Sequence, residues 1–277
     1  MSGCLYLCGT PIGNLEDMTY RAVRILSEVD FIAAEDTRHS LKLLNYFDIK
    51  TPFLSYHEHN KLKSGEKIIE LLKNGKDVAL ITDAGMPCIS DPGSDLVKLC
   101  YEEGLTVTAA PGPTALITAI ALSGFLNRQF TFLGFLPGSK KERVKILETV
   151  KKLEYPSVIY EAPHHLKKTL NDINNNLGDR KIAITRELTK KFEEVKICLI
   201  SEAIEFYNDN DPKGEYVLVI EGGEPTPAEP AADEEVIETV EKYITKGLSK
   251  MDAIKTAAKE LNLKKSVVYD LANKQKG

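Results

Sequence analysis

The sequence predicts an α/β protein built from two α/β domains and a small C-terminal helical module, and three observations carry that expectation. From the N-terminus to about residue 125, short apolar runs alternate with stretches of helical periodicity, the pattern of a doubly wound, mostly parallel sheet, here of five strands. From Gln129 the runs turn aromatic and β-branched and their loops basic, which marks a second α/β domain with a mixed sheet over 126–222. Beyond it, Gly222-Gly223-Glu224-Pro225-Thr226-Pro227-Ala228-Glu229-Pro230 carries prolines and no apolar period. It reads as an acidic linker over 223–240 that leads to a basic helical module at 241–277.

Leu5 to Cys8 is the first strand and runs into Gly9-Thr10-Pro11-Ile12-Gly13-Asn14. A helix follows from about Thr19, its expected N-cap, with Ala22, Ile25, Leu26 and Val29 along one face. The Gly9 and Gly13 spacing is not G-x-G-x-x-G, although Glu35 and Asp36 stand about where a nicotinamide enzyme keeps its ribose-binding acid. Phe31 to Ala34 is the second strand, ending in Glu35-Asp36-Thr37-Arg38-His39-Ser40. These groups either hold a substrate, with Arg38 pairing a phosphate and Glu35 or Asp36 orienting a hydroxyl, or form the ordinary first turn of a helix buried through Leu41, Leu44 and Phe47. Phe53 to Asn60, if extended, puts His57 and His59 on one face. With His39 as the only obvious recruit, these are too few ligands for a metal, and a surface loop is the default.

A helix over Glu66 to Lys73 leads to Val78-Ala79-Leu80-Ile81, which has the length and flanks of a buried parallel strand. Its exit, Thr82 to Gly93, is a candidate ligand loop, because open α/β sheets bind ligands at the carboxyl ends of their strands. Gly85 and Gly93 permit close backbone approach, Pro87 and Pro92 stiffen the loop, and Asp83 and Asp91 offer acceptors to ribose or amine groups. The same residues suit a plain strand-turn-helix corner in which Ser94 caps a helix running to Tyr101. Leu105 to Ala109 is the fifth strand, after which Ala110-Pro111-Gly112-Pro113-Thr114 turns into a very apolar helix, Ala115 to Leu122. Two Pro- and Gly-bearing loops can thus wall one pocket, with helix N–H groups facing the ligand.

In the second domain the expected strands are Phe130 to Phe135, Val158 to Tyr160, Ile182 to Ile184 and Tyr216 to Ile220, with a helix from Pro163 to Ile173. Lys140, Lys141, Arg143, Lys167, Lys168, Lys190 and Lys191 fall in loops and helix starts, where they either track a phosphate backbone or are solvated. The segment from Lys242 to Gly277 holds nine lysines against Asp252, Glu260 and Asp270. One helix starts at Leu248-Ser249 and another at Ser266, so the tail reads as a helix-turn-helix-like contact for nucleic acid or the ribosome, or as a staple onto its own protein or a dimer partner.

Composition adds exclusions. With 43% hydrophobic and 28% charged residues and a net charge of -5, a pI near 5.7 and a mean hydropathy of -0.21, the whole surface is no nucleic-acid magnet, though a local basic patch is allowed. The five cysteines form no C-x-x-C pair, so no disulfide framework is expected and the compartment is a reducing one. There is no basic leader, and the stretch Ala115 to Leu122 falls far short of the roughly 20 residues that span a bilayer. The expected location is the cytoplasm, away from membranes.

Seven motifs, in order, resemble one family: Gly9-Thr10-Pro11-Ile12-Gly13-Asn14-Leu15 with Asp17; Ala34-Glu35-Asp36-Thr37-Arg38; Thr82 to Gly93; Pro111-Gly112-Pro113-Thr114-Ala115; Phe132-Leu133-Gly134-Phe135-Leu136-Pro137; Tyr160-Glu161-Ala162-Pro163-His164; and Arg186-Glu187-Leu188-Thr189-Lys190. The family is that of the small-subunit ribosomal RNA methyltransferases that modify a cytidine 2′-hydroxyl in the decoding region of 16S rRNA, within the tetrapyrrole-methylase class. The segment Leu248 to Tyr269 is similar to the family's tail. The resemblance implies a homodimer acting on 16S rRNA in the small ribosomal subunit, with no metal, and S-adenosylmethionine held in a cleft between the two α/β domains. It implies cofactor contacts from Pro11, Asp83, Gly85, Pro87, Thr114, Ala115, Tyr160 and Glu161, and chemistry from Glu35, Asp36 and Arg38 with Glu161 as the rival base. His165 stands where the family has an Arg, and Val195-Lys196-Ile197-Cys198 where an Arg-Gly pair is common. The same fold also serves tetrapyrrole and diphthine-type substrates, and a non-catalytic ribosome-binding factor would keep the same pocket.

Overall fold

The computed structural model describes residues 1–126, 128–224, 233–261 and 263–274. Strand β4 (Val78–Ile81) is buried at every position, because helices cover both faces of the sheet it centres. Ala79 and Ile81 enter one core while Val78 and Leu80 enter the other, the two-residue period sorting an all-apolar strand to two faces. Around it lie β1 (Cys4–Cys8), β2 (Phe31–Ala34), β3 (Phe53–Ser55) and β5 (Thr106–Ala110), in the order β3-β2-β4-β1-β5 and all parallel. Helices α1 (Tyr20–Glu28) and α2 (Thr37–Tyr46) close one core over Leu26, Ile32, Leu44 and Ile81. On the other face α3 (Lys61–Lys73) and α4 (Ser94–Glu102) bury Ile68, Leu72, Leu80 and Leu96.

Thr19 caps α1 as expected, accepting from the Ala22 N–H at 3.2 Å. Helix α3 begins at Lys61 rather than Glu66, since its polar first turn hides the apolar period. The cap of α4 is Gly93 at φ 138°, and Ser94 is the first helical residue. From β1 the chain crosses to β2 and β3, and from β4 it crosses back to β5, so the order reverses between β1 and β4, the position where such sheets bind ligands.

Helix α5 (Ala115–Ser123) leaves the first sheet and packs on the second. That sheet comprises β6 (Thr131–Phe135), β7 (Ser157–Glu161), β8 (Lys181–Arg186), β9 (Glu194–Leu199) and β10 (Tyr216–Ile220) in the order β6-β7-β10-β8-β9. Only β6 and β7 pair in parallel. Helices α6 (Lys140–Lys151), α7 (Pro163–Leu177) and α8 (Ile200–Asp209) bury Leu147, Leu170 and Leu218 on one face. On the other, Ala119 and Ile120 of α5 meet Val158, Ala183 and Val219, and Ile12 joins them from the first lobe. Both sheets therefore belong to one compact unit, Met1–Gly223. Strand β9 and helix α8 go beyond the four strands expected. The apolar side chains of β9, Val195, Ile197 and Leu199, are all exposed, so no buried run announces it.

Arg143 is only 4% exposed and ion-pairs with Asp172 between α6 and α7. It is a packing residue and not a phosphate contact, a correction forced by its burial.

The second compact unit, Glu224–Gly277, contains α9 (Asp233–Thr245), α10 (Lys250–Glu260) and α11 (Lys265–Lys274) around Val236, Val240, Ile254 and Val268. Positions 233–240, expected as linker, form the first turns of α9 because Val236 and Val240 give them a face to bury. Positions 225–232 of the expected linker lie outside the described residues. Ser249 caps α10 through the Asp252 N–H at 3.2 Å. Among the described residues no helix is long and apolar enough to cross a membrane.

Candidate active site

The loops that leave β1 and β4 meet at the reversal point and are tied together. Thr10 and Gly85 exchange two backbone hydrogen bonds, of 2.9 and 3.0 Å, and the Thr10 hydroxyl donates to the Thr82 carbonyl at 3.0 Å. Gly85 sits at φ 86°, a conformation that favours glycine. The loop after β5 comes so close that a Cβ on Gly9 would lie 2.6 Å from the Gly112 Cα. Two bare glycines are therefore required for the loops of β1 and β5 to touch.

Between these loops and the second sheet lies a cavity of about 410 Å³, within the usual range of ligand sites. The first lobe contributes Ile12, Asp83 to Met86, Asp91, Thr114 and Ala115; the second contributes Phe135, Tyr160, Glu161 and Glu215 to Val217. Thr114 caps α5 by accepting from the Ile117 N–H at 3.1 Å, while the Tyr160 hydroxyl accepts from the Leu116 N–H at 3.1 Å. A side chain of the second lobe thus satisfies a free helix-end donor next to the first lobe's loop. The Tyr160 ring packs edgewise on Phe132 and Phe135, at 4.9 and 5.7 Å between centroids.

Carboxylates crowd the first-lobe side. Burial pushes the Asp91 carboxyl up to about 6; the Thr82 hydroxyl opposes that rise, and the Glu35 and Asp83 carboxylates add to it. Thr82 is 3% exposed and donates to Glu35 Oε2 at 3.2 Å. Burial also raises the Tyr160 phenol, with Asp91 adding to the rise. Glu161 is buried and accepts from the Ala162 N–H at 2.8 Å, beside the N-terminus of α7, which favours negative charge.

A second cavity of about 310 Å³ adjoins the first and shares Ile12, Asp83, Ala84 and Glu215 with it. Pro11, His39, Ser40, Lys42 and Lys190 line its other sides.

Of the expected cofactor residues, Asp83, Gly85, Thr114, Ala115, Tyr160 and Glu161 line the first cavity, Pro11 lines the second, and Pro87 is buried in the loop outside both linings. Of the expected catalytic residues Glu161 lines the first cavity, and Glu35, Asp36 and Arg38 line neither of the two. Glu35 is linked to the wall through Thr82. Asp36 caps α2 by accepting from the Arg38 N–H at 2.8 Å, and its own N–H donates to Asp83 at 3.3 Å. Arg38 is exposed. His57 and His59 stand 6.1 Å apart between ring centroids, and among the described residues no His, Cys, Asp and Glu group is arranged for a metal. Sequence reasoning missed Thr185, Leu188 and Glu215 to Val217. The start of β10 reaches the cavity because it pairs antiparallel with β7, Tyr216 opposite Glu161, whereas the carboxyl-end rule looks only at parallel strands.

Residues 4–204 match the family of tetrapyrrole (corrin/porphyrin) methylases. A protein of Bacillus subtilis (strain 168) named ribosomal RNA small subunit methyltransferase I is 50% identical over 274 residues, covering 97% of this chain and 93% of that protein. Proteins of the same name from Synechocystis and Thermotoga maritima are 42% and 48% identical; the latter is covered completely by 222 residues, 80% of this chain. Among solved structures, a cobalt precorrin-4 methyltransferase aligns with a TM-score of 0.60 at 16% identity, over 79% of this chain and 94% of that one. A diphthine synthase aligns with a TM-score of 0.61 at 12% identity, over 80% and 90%. With a family match over residues 4–204 and a near-full-length relative at 50% identity, the chain belongs to the tetrapyrrole methylase family, in the branch of the small-subunit ribosomal RNA methyltransferases.

Proposed function

We propose that the chain transfers the methyl group of S-adenosylmethionine to the ribose 2′-hydroxyl of a cytidine in the decoding region of 16S rRNA, on the small ribosomal subunit in the cytoplasm. The observation that carries this reading is near-full-length similarity to proteins named for small-subunit ribosomal RNA methylation, in a chain whose first cavity has the donor set such a cofactor needs. Asp83 and Asp91 offer acceptors to ribose hydroxyls or an ammonium group, Tyr160 and Phe135 offer apolar faces, and the N-terminus of α5 carries Thr114 and Ala115 to its edge. When bound, S-adenosylmethionine supplies a methyl carbon activated by the attached sulfonium. The chain's own task is to position the acceptor hydroxyl, exclude water and accept a proton. Glu35, acting through Thr82, orients that hydroxyl; Asp36 fixes the first turn of α2, from which Arg38 engages a neighbouring phosphate; Glu161 is the alternative base.

The active form in this reading is a homodimer. Ile117 and Leu122 of α5, with Val195, Ile197 and Leu199 of the adjacent edge strand β9, leave an exposed apolar band of the kind that marks a protein contact. Ile197→Lys is expected to yield monomers in sedimentation analysis, and unchanged dimers would rule this surface out.

Labelled S-adenosylmethionine should be incubated with small ribosomal subunits, naked 16S rRNA and a porphyrinogen. Label in the subunit, at a single cytidine whose 3′ linkage resists alkali, is the expected result. Label in porphyrinogen alone, or at a base, would refute the proposal.

A further inference from the structure

The second cavity has a composition of its own. Ser40 is 2% exposed, and its Oγ has no hydrogen-bond partner among the described residues. A buried hydroxyl in that state sacrifices about 1–3 kcal/mol, a deficit that rotation of the side chain toward a polar group bound in the cavity removes. Lys42 and His39 stand exposed on the α2 side. Across the cleft Lys190 is held by Glu187 and Glu215 at 3.0 and 2.8 Å. Leu15 and Leu43 supply apolar surface, and Asp83 a carboxylate in the wall common to both cavities.

We infer that this cavity seats the acceptor: a single ribonucleotide extruded from its RNA strand, with its phosphate toward Lys42 and His39, its base against Leu15 and Leu43, and its ribose toward Ser40 and the Asp83 wall. The inference rests on the function proposed above and adds to it a site and a recognition chemistry. Cations beside apolar faces, with a hydroxyl and a carboxylate beyond them, match the three parts of a nucleotide. At about 310 Å³ the space lies at the small end of ligand cavities, which suits one nucleotide better than a tetrapyrrole ring. The shared wall answers the geometric demand of the reaction, which needs donor carbon and acceptor oxygen within about 3–3.5 Å. In the transfer the oxygen–carbon bond forms as the sulfur–carbon bond breaks, the bonding pair stays on sulfur as a neutral thioether, and the hydroxyl proton passes to Glu35 behind Thr82.

Two variants of the full chain test the site, read by KM for small ribosomal subunits, by calorimetric affinity for S-adenosylmethionine, and by melting temperature. Lys42→Glu lies on an exposed helix face and should raise KM about tenfold or more, the worth of a charged hydrogen bond, with cofactor affinity unchanged within about twofold. Ser40→Ala should raise KM about fivefold while the melting temperature holds or rises, since it deletes an unsatisfied buried hydroxyl. An unchanged KM in both variants overturns the inference. A parallel loss of cofactor affinity also overturns it, by making the cavity part of the donor site. A wild-type chain inert on both subunits and naked rRNA refutes the proposed function itself, and with it this site, before any variant is compared.

Discussion

Replacing Asp91 by Asn should stabilise the ligand-free protein at neutral pH and have no effect in acid. In the folded chain the carboxyl sits at about 6 against an ordinary 3.8, chiefly because it is buried beside Glu35 and Asp83. Between those values the folded state holds the proton more tightly than the unfolded state, so stability falls as pH rises from about 4 through 6 and levels off above about 7. The ionised form is penalised by up to about 3 kcal/mol. Because the side chain keeps partial access to solvent, about 1–2 kcal/mol is the expected gain for Asp91→Asn at pH 7.5. Asn has nearly the size and shape of Asp, so the substitution removes charge with little change of shape. Urea unfolding followed by tyrosine fluorescence at pH 4, 5, 6 and 7.5 measures the difference. A gain of equal size at every pH, or a loss at pH 7.5, would refute the assignment of strain to this charge. If the first cavity binds a sulfonium, affinity for it should also climb between pH 5 and 7, and the variant should flatten that climb.

Four further outcomes follow from packing and charge. Gly9→Ala must displace backbone, with Gly112 Cα at 2.6 Å and Met86 Sδ at 2.7 Å from the new methyl, and should cost about 1–3 kcal/mol in denaturant titration; Gly65→Ala, in a helix with open space around it, should gain about 0.5–1 kcal/mol. Tyr160→Phe strands the Leu116 N–H and should cost about 1–3 kcal/mol, with weaker cofactor binding seen by calorimetry. A chain ending at Glu224 should fold, because Met1–Gly223 is a compact unit of its own, and should bind S-adenosylmethionine normally. Its binding to ribosomal subunits should lose part of its salt dependence with the lysines of the tail, and an identical salt slope would exclude the tail from RNA contact.

The first sheet was legible because its central strand is wholly buried and its helices strongly amphipathic: β4 is apolar at every position, and α1 shows its cap and its face within ten residues. The second sheet was only partly legible. β9 presents its apolar residues to the surface, so its alternation lacks the flanks that mark a buried strand, and with it the helix α8 went unread. For the site, spacing placed the loops after β1, β4 and β5 at strand ends, and the family resemblance supplied their ligand. What no local pattern encodes is the opposing wall. Glu215 to Val217 reach the cavity through antiparallel pairing across 54 intervening positions in the case of Tyr216 and Glu161. Asp91, read early as an acceptor, is made a weaker acid by burial, and by the carboxylates just past β2 and β4, Glu35 and Asp83, that folding brings beside it.

The paired hydrogen bonds between Thr10 and Gly85 have a consequence for how such a protein diversifies. They anchor the partition between the two cavities to backbone, which is indifferent to side-chain identity. Drift along the outer face of α2 can then reshape one chamber while the other keeps its form. A lineage built on this partition can change what it methylates without relearning how to hold the methyl group.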